Sequence, residues 1–201
     1  MGCLQRLNMI IAEFHQVLDE LECQLLIDVA KKNLQKLTVI GSNEGNYRNG
    51  EGTWIYNDVF TSGNINVTEK IKYIVSRHTS MPVENQEKIH IVRYGIGGEY
   101  KEHHDFFHAN QVDYVKNVSK GGQRLYSCLF YLNDNFTGGE TKFVKKNVIV
   151  KPCTGKMLLW SNMKDDGMIL DYDSLHAGLP VISGEKWIAI VWVRQTNFVF
   201  K

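Results

Sequence analysis

The feature that most constrains how this chain can fold is a series of short apolar runs that begins at about residue 88. These runs read KIHIVRY, LYSCLFYL, KNVIVKP, GKMLLWS, LPVIS and KWIAIVWVR, and glycine-bearing turns separate them. Runs of this length, rich in β-branched and aromatic residues, indicate strands, and the glycines favour tight turns. Many short strands with few helices between them predict a sandwich or a jelly-roll barrel.

Two helices are predicted before these runs. In DELECQLLIDVAKKNLQKL, Asp19 is a candidate N-cap and Glu22 completes the pattern of a capping box. The expected buried face of this helix consists of the apolar residues at helical spacing, Leu21, Leu25, Val29 and Leu34.

The second helix is predicted in NVTEKIKYIVSRH, with Asn66 as its candidate N-cap. Its expected buried face consists of Val67, Ile71, Ile74 and Val75. Together with the strands, the helices predict one α+β domain over residues 1–201 with a mainly β core. Helices in about residues 1–87 are expected to support a jelly-roll core in about residues 88–201.

Charge and cysteine content exclude several classes of function. The chain carries 23 Lys or Arg against 22 Asp or Glu, and no basic block stands out, which argues against a nucleic-acid partner. The four cysteines form no C-x-x-C pair, so a zinc knuckle is not predicted.

No apolar run approaches the length of a membrane span and no secretory signal is evident, so we expect a cytoplasmic protein without a membrane partner. The oligomeric state stays open.

A cluster of potential metal ligands lies in the segment GEYKEHHDFFH. If residues 100–106 are extended, His103 and Asp105 share one face, while His104 points the other way. An H-x-D pair on one face supplies two of the three ligands of the facial triad that non-haem Fe(II) oxygenases use. Alone, this short pattern is a weak signal, and the third ligand must come from a distant histidine.

The remaining histidines differ in how well they fit that role. His15 and His78 lie in the helical part, and His90 lies in a strand without a partnering motif. His176 precedes Lys186 by ten residues in DSLHAGLPVISGEKWIAIVWVR. Lys186 alone would be a solvated strand end whose stem covers apolar surface. Beside a metal triad, the same lysine becomes a candidate partner for the far carboxylate of a chelating 2-oxo acid.

Three quoted motifs, in order and spacing, resemble a known family. The pattern Y-x-x-x-x-x-Y-x-x-H-x-D-F, then YLND…GGETKF, then SLHAG-x-PV-x-x-GEKW is similar to the prolyl 4-hydroxylases, which are iron- and 2-oxoglutarate-dependent dioxygenases. The resemblance runs from about Ile89 to Arg194. It implies the family's double-stranded β-helix, a jelly-roll variant, which agrees with the pattern of short strands.

The resemblance also implies roles for individual residues. His103, Asp105 and His176 match the family's iron ligands, which are its catalytic centre, and Lys186 matches the residue that binds the 2-oxoglutarate carboxylate. These matches imply Fe(II) as the metal, with 2-oxoglutarate and dioxygen as cosubstrates and ascorbate as a candidate reductant.

Four further matches have plausible structural alternatives. Tyr94, Thr141 and Trp192 match residues around the cosubstrate, and Arg124 matches an arginine that contacts peptide substrate. The two aromatic residues could equally be core residues, and Thr141 an ordinary strand residue. The family often carries an R-x-S stretch before the second helix, where this chain reads YRNGEGTWIYND. That departure bears on the identity of the substrate.

The function implied by the resemblance is hydroxylation of prolyl residues in a peptide or protein, with succinate and carbon dioxide as coproducts. One alternative is a hydroxylase of a free amino acid or another small molecule. Another is an inactive jelly-roll binding module that keeps its metal for structure. The long segment 107–122 is the candidate lid over the site, and His108 at its start is expected to meet substrate at most.

Overall fold

The computed structural model describes residues 9–37, 48–164 and 167–199. Within these ranges the helices are α1 (Glu20–Lys31), α2 (Val67–Thr79) and α3 (Tyr114–Val118), and single 3-10 turns occur at Val83–Asn85 and Tyr172–Ser174. The strands are β1 (Ile11–Phe14), β2 (Gln35–Lys36), β3 (Glu51–Ile55), β4 (Ile89–Tyr94), β5 (Tyr100–His103), β6 (Arg124–Tyr131), β7 (Thr137–Gly138), β8 (Thr141–Phe143), β9 (Val148–Val150), β10 (Met157–Ser161), β11 (Met163–Lys164), β12 (Ile169–Leu170), β13 (His176–Gly178), β14 (Val181–Ser183) and β15 (Lys186–Arg194).

Two antiparallel sheets form the core. The main sheet has seven strands in the order β1-β10-β6-β15-β4-β3-β2, and the minor sheet has four in the order β5-β13-β8-β9. Side chains from both sheets share one apolar cluster, in which Phe143 and Val150 of the minor sheet meet Leu129 and Trp160 of the main sheet. Two facing sheets of short antiparallel strands confirm the predicted jelly-roll core.

The central strand β15 explains why its sequence is apolar almost throughout. It pairs with β4 on one side and with β6 on the other, and all nine of its residues are buried. Because side chains alternate along a strand, Ala189 and Val191 face α1 and α2, whereas Ile188 and Ile190 face the minor sheet.

The helix caps were predicted correctly. Asp19 accepts the backbone N–H of Glu22 at 2.8 Å, and the Glu22 carboxylate accepts the backbone N–H of Asp19 at 2.9 Å. Asn66 likewise accepts the backbone N–H of Glu69 at 3.1 Å. The predicted face of α2 is also confirmed, since Val67, Ile71 and Val75 are fully buried and Ile74 packs against the same core.

The predicted face of α1 was correct in part: Leu25, Val29 and Leu34 pack against the core, but Leu21 does not. Leu21 is 79% exposed, and the residues that α1 buries are Glu22, Cys23, Leu26, Ile27 and Ala30. The capping box directs Glu22 inward, where Lys70 of α2 pairs with its carboxylate at 2.6 Å. The core-facing side of α1 therefore centres on Cys23, Leu26 and Ile27, and Leu21 lies outside it.

The N-terminal half is also less helical than expected, because it supplies three strands to the main sheet. β1 pairs with β10 at one edge, and β3 pairs with β4 near the other. Cys23, Cys128 and Cys153 are free thiols, and Cys3 lies outside the described residues. No helix in the part of the chain that the structure describes is both long and apolar enough to cross a membrane.

Candidate active site

Register between two strands of the minor sheet brings the predicted triad together. His103 at the end of β5 is paired with His176 at the start of β13. The Nε2 atom of His103 lies 3.7 Å from Oδ1 of Asp105, and the Nε2 atom of His176 lies 3.8 Å from Oδ2 of Asp105. The potential ligand atoms of all three residues lie within 4.8 Å of one another. Two imidazoles and one carboxylate are the donor set of the facial triad for Fe(II).

Asp105 reaches this position by a route that differs from the expected one. β5 ends at His103, and Asp105 lies in a bend that follows the strand rather than in the strand itself. His104 stays outside the triad, as expected, and its Nε2–H donates to the carbonyl of Tyr172 at 3.3 Å.

Backbone carbonyls fix the orientation of both imidazoles. The Nδ1 atom of His103 lies 2.7 Å from the Lys101 carbonyl, and that of His176 lies 2.8 Å from the Ser174 carbonyl. A carbonyl only accepts, so each Nδ1 carries the proton and each Nε2 keeps a free lone pair. This arrangement is typical of histidines that bind metal through Nε2.

Burial and neighbouring charges set the protonation states of the triad. Burial lowers the pKa of His103 well below its usual value, and the nearby His176 lowers it further. Burial alone would raise the pKa of Asp105, but His176, His103 and Arg124 outweigh that effect and lower it to about 2. At neutral pH the site therefore offers an ionised carboxylate and a neutral His103, the forms that bind a divalent cation.

The triad borders a small inner cavity of about 40 Å³, which Tyr94, Thr141 and Lys186 also line. Lys186 is 2% exposed, and its ammonium donates to the carbonyl of Gly139 at 2.6 Å. Burial lowers the pKa of Lys186 to about 8, although Glu140 acts in the opposite direction. No carboxylate among the described residues is ion-paired with this ammonium. An isolated buried cation is costly, so the cavity is suited to an anionic ligand.

The remaining residues that were matched to the cosubstrate lie around the same cavity. The Tyr94 hydroxyl accepts from Nε of Arg48 at 3.1 Å, and the Thr141 hydroxyl bonds to that of Tyr131 at 2.8 Å. Trp192 lines both the inner cavity and a larger neighbouring one. All three residues therefore line the inner cavity beside the triad and Lys186, and their contact with a cosubstrate stays a prediction.

The larger neighbour, the outer cavity, has a volume of about 720 Å³ and is lined by Trp54, His90, Phe107 and Arg124 among others. Arg124 pairs with Glu87 through Nε at 2.6 Å and Nη2 at 2.8 Å. Its guanidinium also lies 3.8 Å from the ring centroid of Trp192. The bidentate ion pair with Glu87 and the stacking on Trp192 together fix the guanidinium of Arg124 at the cavity wall.

His90 lies outside the triad, in the wall of the outer cavity. Its ring stacks on Trp54 with centroids 4.3 Å apart. Burial lowers the pKa of His90 to about 3, and Arg48 and Arg124 act in the same direction. His90 is therefore neutral and serves as part of an aromatic wall.

Segment 107–122, the predicted lid, contains α3 and is anchored at both ends. The side-chain amide of Gln123 bonds to both the N–H and the carbonyl of Phe107, at 2.9 Å and 2.7 Å. Arg194 donates to the carbonyl of Asn117. Both Phe107 and Asn117 line the outer cavity, so the segment forms part of its wall, and its role as a lid stays a prediction.

Three residues at the site were not singled out from the sequence. Tyr100 stacks on His103 with centroids 3.4 Å apart, Arg48 lines both cavities, and the Ser127 hydroxyl donates to Oδ2 of Asp105 at 2.6 Å. Tyr100 stands in the family motif and Arg48 in the stretch that departs from the family pattern. Ser127 carries no sequence signal, because its contact joins β6 to the bend after β5 across 22 positions of sequence.

Comparisons with known proteins agree with this geometry. A family model described as the 2OG-Fe(II) oxygenase superfamily matches residues 89–194, more than half of the chain. Prolyl 4-hydroxylase 2 of Arabidopsis thaliana is 35% identical over 207 residues, which cover 90% of this chain and 66% of that protein. Prolyl 4-hydroxylase 5 of the same plant is 33% identical, with 92% and 68% of the two chains covered. This chain therefore spans about two thirds of the length of these plant proteins.

A solved structure gives a similar result. The viral collagen prolyl hydroxylase vCPH from Paramecium Bursaria Chlorella virus-1, in its 2OG complex, aligns with a TM-score of 0.69 and 28% sequence identity. The alignment covers 92% of this chain and 95% of that one. The likeness therefore extends over the N-terminal helices as well as the jelly roll.

Proposed function

The chain belongs to the 2OG-Fe(II) oxygenase superfamily and, within it, to the prolyl 4-hydroxylases, and from this premise we propose that it hydroxylates prolyl residues in a peptide or protein. Enzymes of this class use Fe(II), 2-oxoglutarate and dioxygen and release succinate and carbon dioxide. The observation that carries the proposal is that the triad and Lys186 border one inner cavity, which opens beside a cavity large enough for substrate.

In this proposal His103, Asp105 and His176 hold the iron. Bound iron supplies the activation of dioxygen that lets an unactivated C–H bond be oxidised. The protein's part is to hold the two Nε2 lone pairs and one carboxylate oxygen toward a common point. The backbone carbonyls of Lys101 and Ser174 do so by fixing the imidazole tautomers.

Lys186 is the proposed anchor for the distal carboxylate of 2-oxoglutarate. The hydroxyls of Thr141 and Tyr94 line the same cavity and are placed to donate further hydrogen bonds. Leu129 and Ile188 form its apolar walls, and they would exclude water from the reacting groups. Trp192, which lines both cavities, would separate cosubstrate from substrate.

Arg124 and the outer cavity are proposed to receive the peptide. Both similar plant proteins are named prolyl 4-hydroxylases, and the viral neighbour is named a collagen prolyl hydroxylase. These names favour a peptidyl proline over a free amino acid. They also favour an active enzyme over an inactive binding module, for which a cosubstrate anchor such as Lys186 has no use. Ascorbate as reductant, a single domain and a cytoplasmic location stay predictions.

The test incubates the protein with Fe(II), 2-oxoglutarate and oxygen, together with a panel of proline-rich peptides and free amino acids. We expect succinate release, with a peptide proline gaining the mass of one oxygen atom, and neither signal from Asp105→Ala. Succinate without a mass gain on any peptide would contradict the prolyl substrate. Absence of succinate under every condition would contradict the oxygenase activity itself.

A further inference from the structure

Two buried side chains, Ser127 and Asn162, form a hydrogen-bonded chain that ends on the carboxylate of the triad. The Ser127 hydroxyl lies 2.6 Å from Oδ2 of Asp105, and the side-chain amide nitrogen of Asn162 lies 2.9 Å from the same hydroxyl. Both residues are 0% exposed. The proposed function assigns a role to Asp105 but none to these two residues.

The chemistry of the carboxylate, the hydroxyl and the amide fixes the direction of both hydrogen bonds between these three side chains. An ionised carboxylate only accepts, so the single proton of the Ser127 hydroxyl must point at Asp105. Toward Asn162 the hydroxyl can then only accept, which requires the NH₂ group of Asn162 to face it. Asn162 thus orients the hydroxyl, and the hydroxyl orients the carboxylate.

The fold places both residues rigidly. Ser127 lies on β6 between Trp160 of β10 and Trp192 of β15, in the middle of the main sheet. The backbone N–H of Asn162 donates to the Leu125 carbonyl at 2.8 Å, and the Asn162 carbonyl accepts from Asp171 at 3.0 Å. Asp105 itself lies in a bend after β5 rather than in a strand, and its backbone carbonyl accepts from Nη1 of Arg124 at 3.4 Å.

We propose that Ser127, oriented by Asn162, is a positioning residue that engages Oδ2 of Asp105 and reserves Oδ1 as the oxygen that binds the metal. The inference rests on the proposed function, because it concerns the metal that the triad would hold. A carboxylate that offers one oxygen occupies one coordination position, and this leaves more positions for cosubstrates. Hydrogen-bond partners of metal ligands of this kind typically change metal affinity by 10- to 100-fold when they are removed.

The test measures binding of Mn(II) alone, without 2-oxoglutarate or turnover, from the amplitude of the free-ion EPR signal. Ser127→Ala is expected to weaken Mn(II) binding by about 10- to 100-fold, whereas Ser127→Thr, which keeps the hydroxyl, should bind nearly as the wild-type protein does. The matched control is Ser161→Ala. Ser161 is also buried, but its hydroxyl accepts from the backbone N–H of Ile10 rather than bonding to Asp105.

A double-mutant cycle tests whether Asn162 acts on Asp105 only through the Ser127 hydroxyl. Asn162→Ala should cost less affinity than Ser127→Ala, and the double variant should bind Mn(II) as Ser127→Ala does, because Asn162 acts only through the hydroxyl. Urea unfolding of the metal-free variants separates a folding defect from a loss of metal affinity.

Wild-type affinity in Ser127→Ala, equal losses in Ser127→Ala and Ser161→Ala, or additive losses in the double variant would each overturn the inference. His176→Ala separates it from the proposed function. If His176→Ala loses Mn(II) and Ser127→Ala does not, the triad stands and only the role of Ser127 fails. If His176→Ala keeps wild-type affinity, the triad is not the metal site and both proposals fail.

Discussion

The two faces of the main sheet consist of side chains from the same strands but have different roles: one packs against the helices, and the other borders the cavities. On β15, Ala189 and Val191 belong to the apolar cluster that packs against α1 and α2. Lys186 and Trp192, on the opposite face of the same strand, line the cavities. Alternation along a strand therefore lets adjacent residues serve stability and chemistry separately.

Several polar groups on the cavity-facing side of the site are held by a specific partner. Lys186 has the Gly139 carbonyl, Thr141 has Tyr131, and Ser127 bonds to Asp105. A buried polar group without a partner costs on the order of 1–3 kcal/mol. Substitutions on this face should therefore reduce ligand binding or turnover, whereas those on the helix-facing side should reduce folding stability.

The largest effect is expected for His176→Ala. Loss of a ligand should reduce succinate formation by at least about 100-fold, because loss of an outer partner alone costs 10- to 100-fold. Urea unfolding of the metal-free variant should show that it is still folded at the assay temperature, so that the loss of turnover reports the missing ligand. A variant that forms succinate at the wild-type rate would show that the third ligand is elsewhere.

Lys186→Ala should come next. Removal of the cation is expected to weaken 2-oxoglutarate binding by about 2–5 kcal/mol, the usual cost of breaking a buried charge pair. Anaerobic calorimetric titration with Mn(II) in the site measures this affinity. Lys142→Ala is the control, since Lys142 alternates with the inward-facing Thr141 and Phe143 on β8. Equal losses in both variants would contradict a specific anchor.

Leu26→Ala tests the helix-facing side. Leu26 is fully buried in α1 against the main sheet, and its truncation should lower the free energy of unfolding by about 2–5 kcal/mol. Urea denaturation measures the change. At temperatures where the variant is folded, its affinity for 2-oxoglutarate should be that of the wild-type protein. A large change in that affinity would contradict the inference that the helix-facing side affects stability but not ligand binding.

The pH dependence of 2-oxoglutarate binding should be smaller but diagnostic. Burial depresses the pKa of Lys186 to about 8 in the free protein, so the ammonium is present below that pH and is lost as pH rises through it. Binding then requires uptake of a proton, and affinity should fall by up to about tenfold per pH unit above pH 8. Calorimetry from pH 7 to 9.5 checks this, with Lys186→Ala as the pH-independent reference. Constant wild-type affinity over this range would exclude a titrating lysine.

Leu21→Ala should have the smallest effect. Leu21 is 79% exposed on α1, so its truncation should change the free energy of unfolding by less than about 0.5 kcal/mol. Measured beside Leu26→Ala in urea, it shows which row of the helix is buried. A loss comparable to that of Leu26→Ala would show that Leu21 is buried, as its spacing predicted.

The sequence predicted those features that depend on neighbours along the chain. The caps at Asp19 and Asn66 were correct, because a cap is a contact between residues three positions apart. Each of the six apolar runs contains a strand. The short strand β3 was missed, since its five residues include Gly52 and show no clear alternation.

Features that depend on distant contacts were less predictable. Leu21 was wrongly assigned to the buried face of α1, and the burial of Glu22 was not predicted, because its partner Lys70 lies 48 positions away. Arg48 and Ser127 were not singled out, since each becomes part of the site only when segments far apart in the sequence come together. Glu87 was not predicted to belong to the site for the same reason, although it fixes Arg124 through two hydrogen bonds.

By itself, the sequence determined the strand-rich core, the two helix caps and, through its likeness to a family, the residues to examine. Only the tertiary structure decided that β5 and β13 pair so that His103 faces His176. It also decided which oxygen of Asp105 is occupied by Ser127. The physical reason is that local patterns encode alternation and capping, whereas strand register and hydrogen-bond direction follow from packing between segments far apart in the chain.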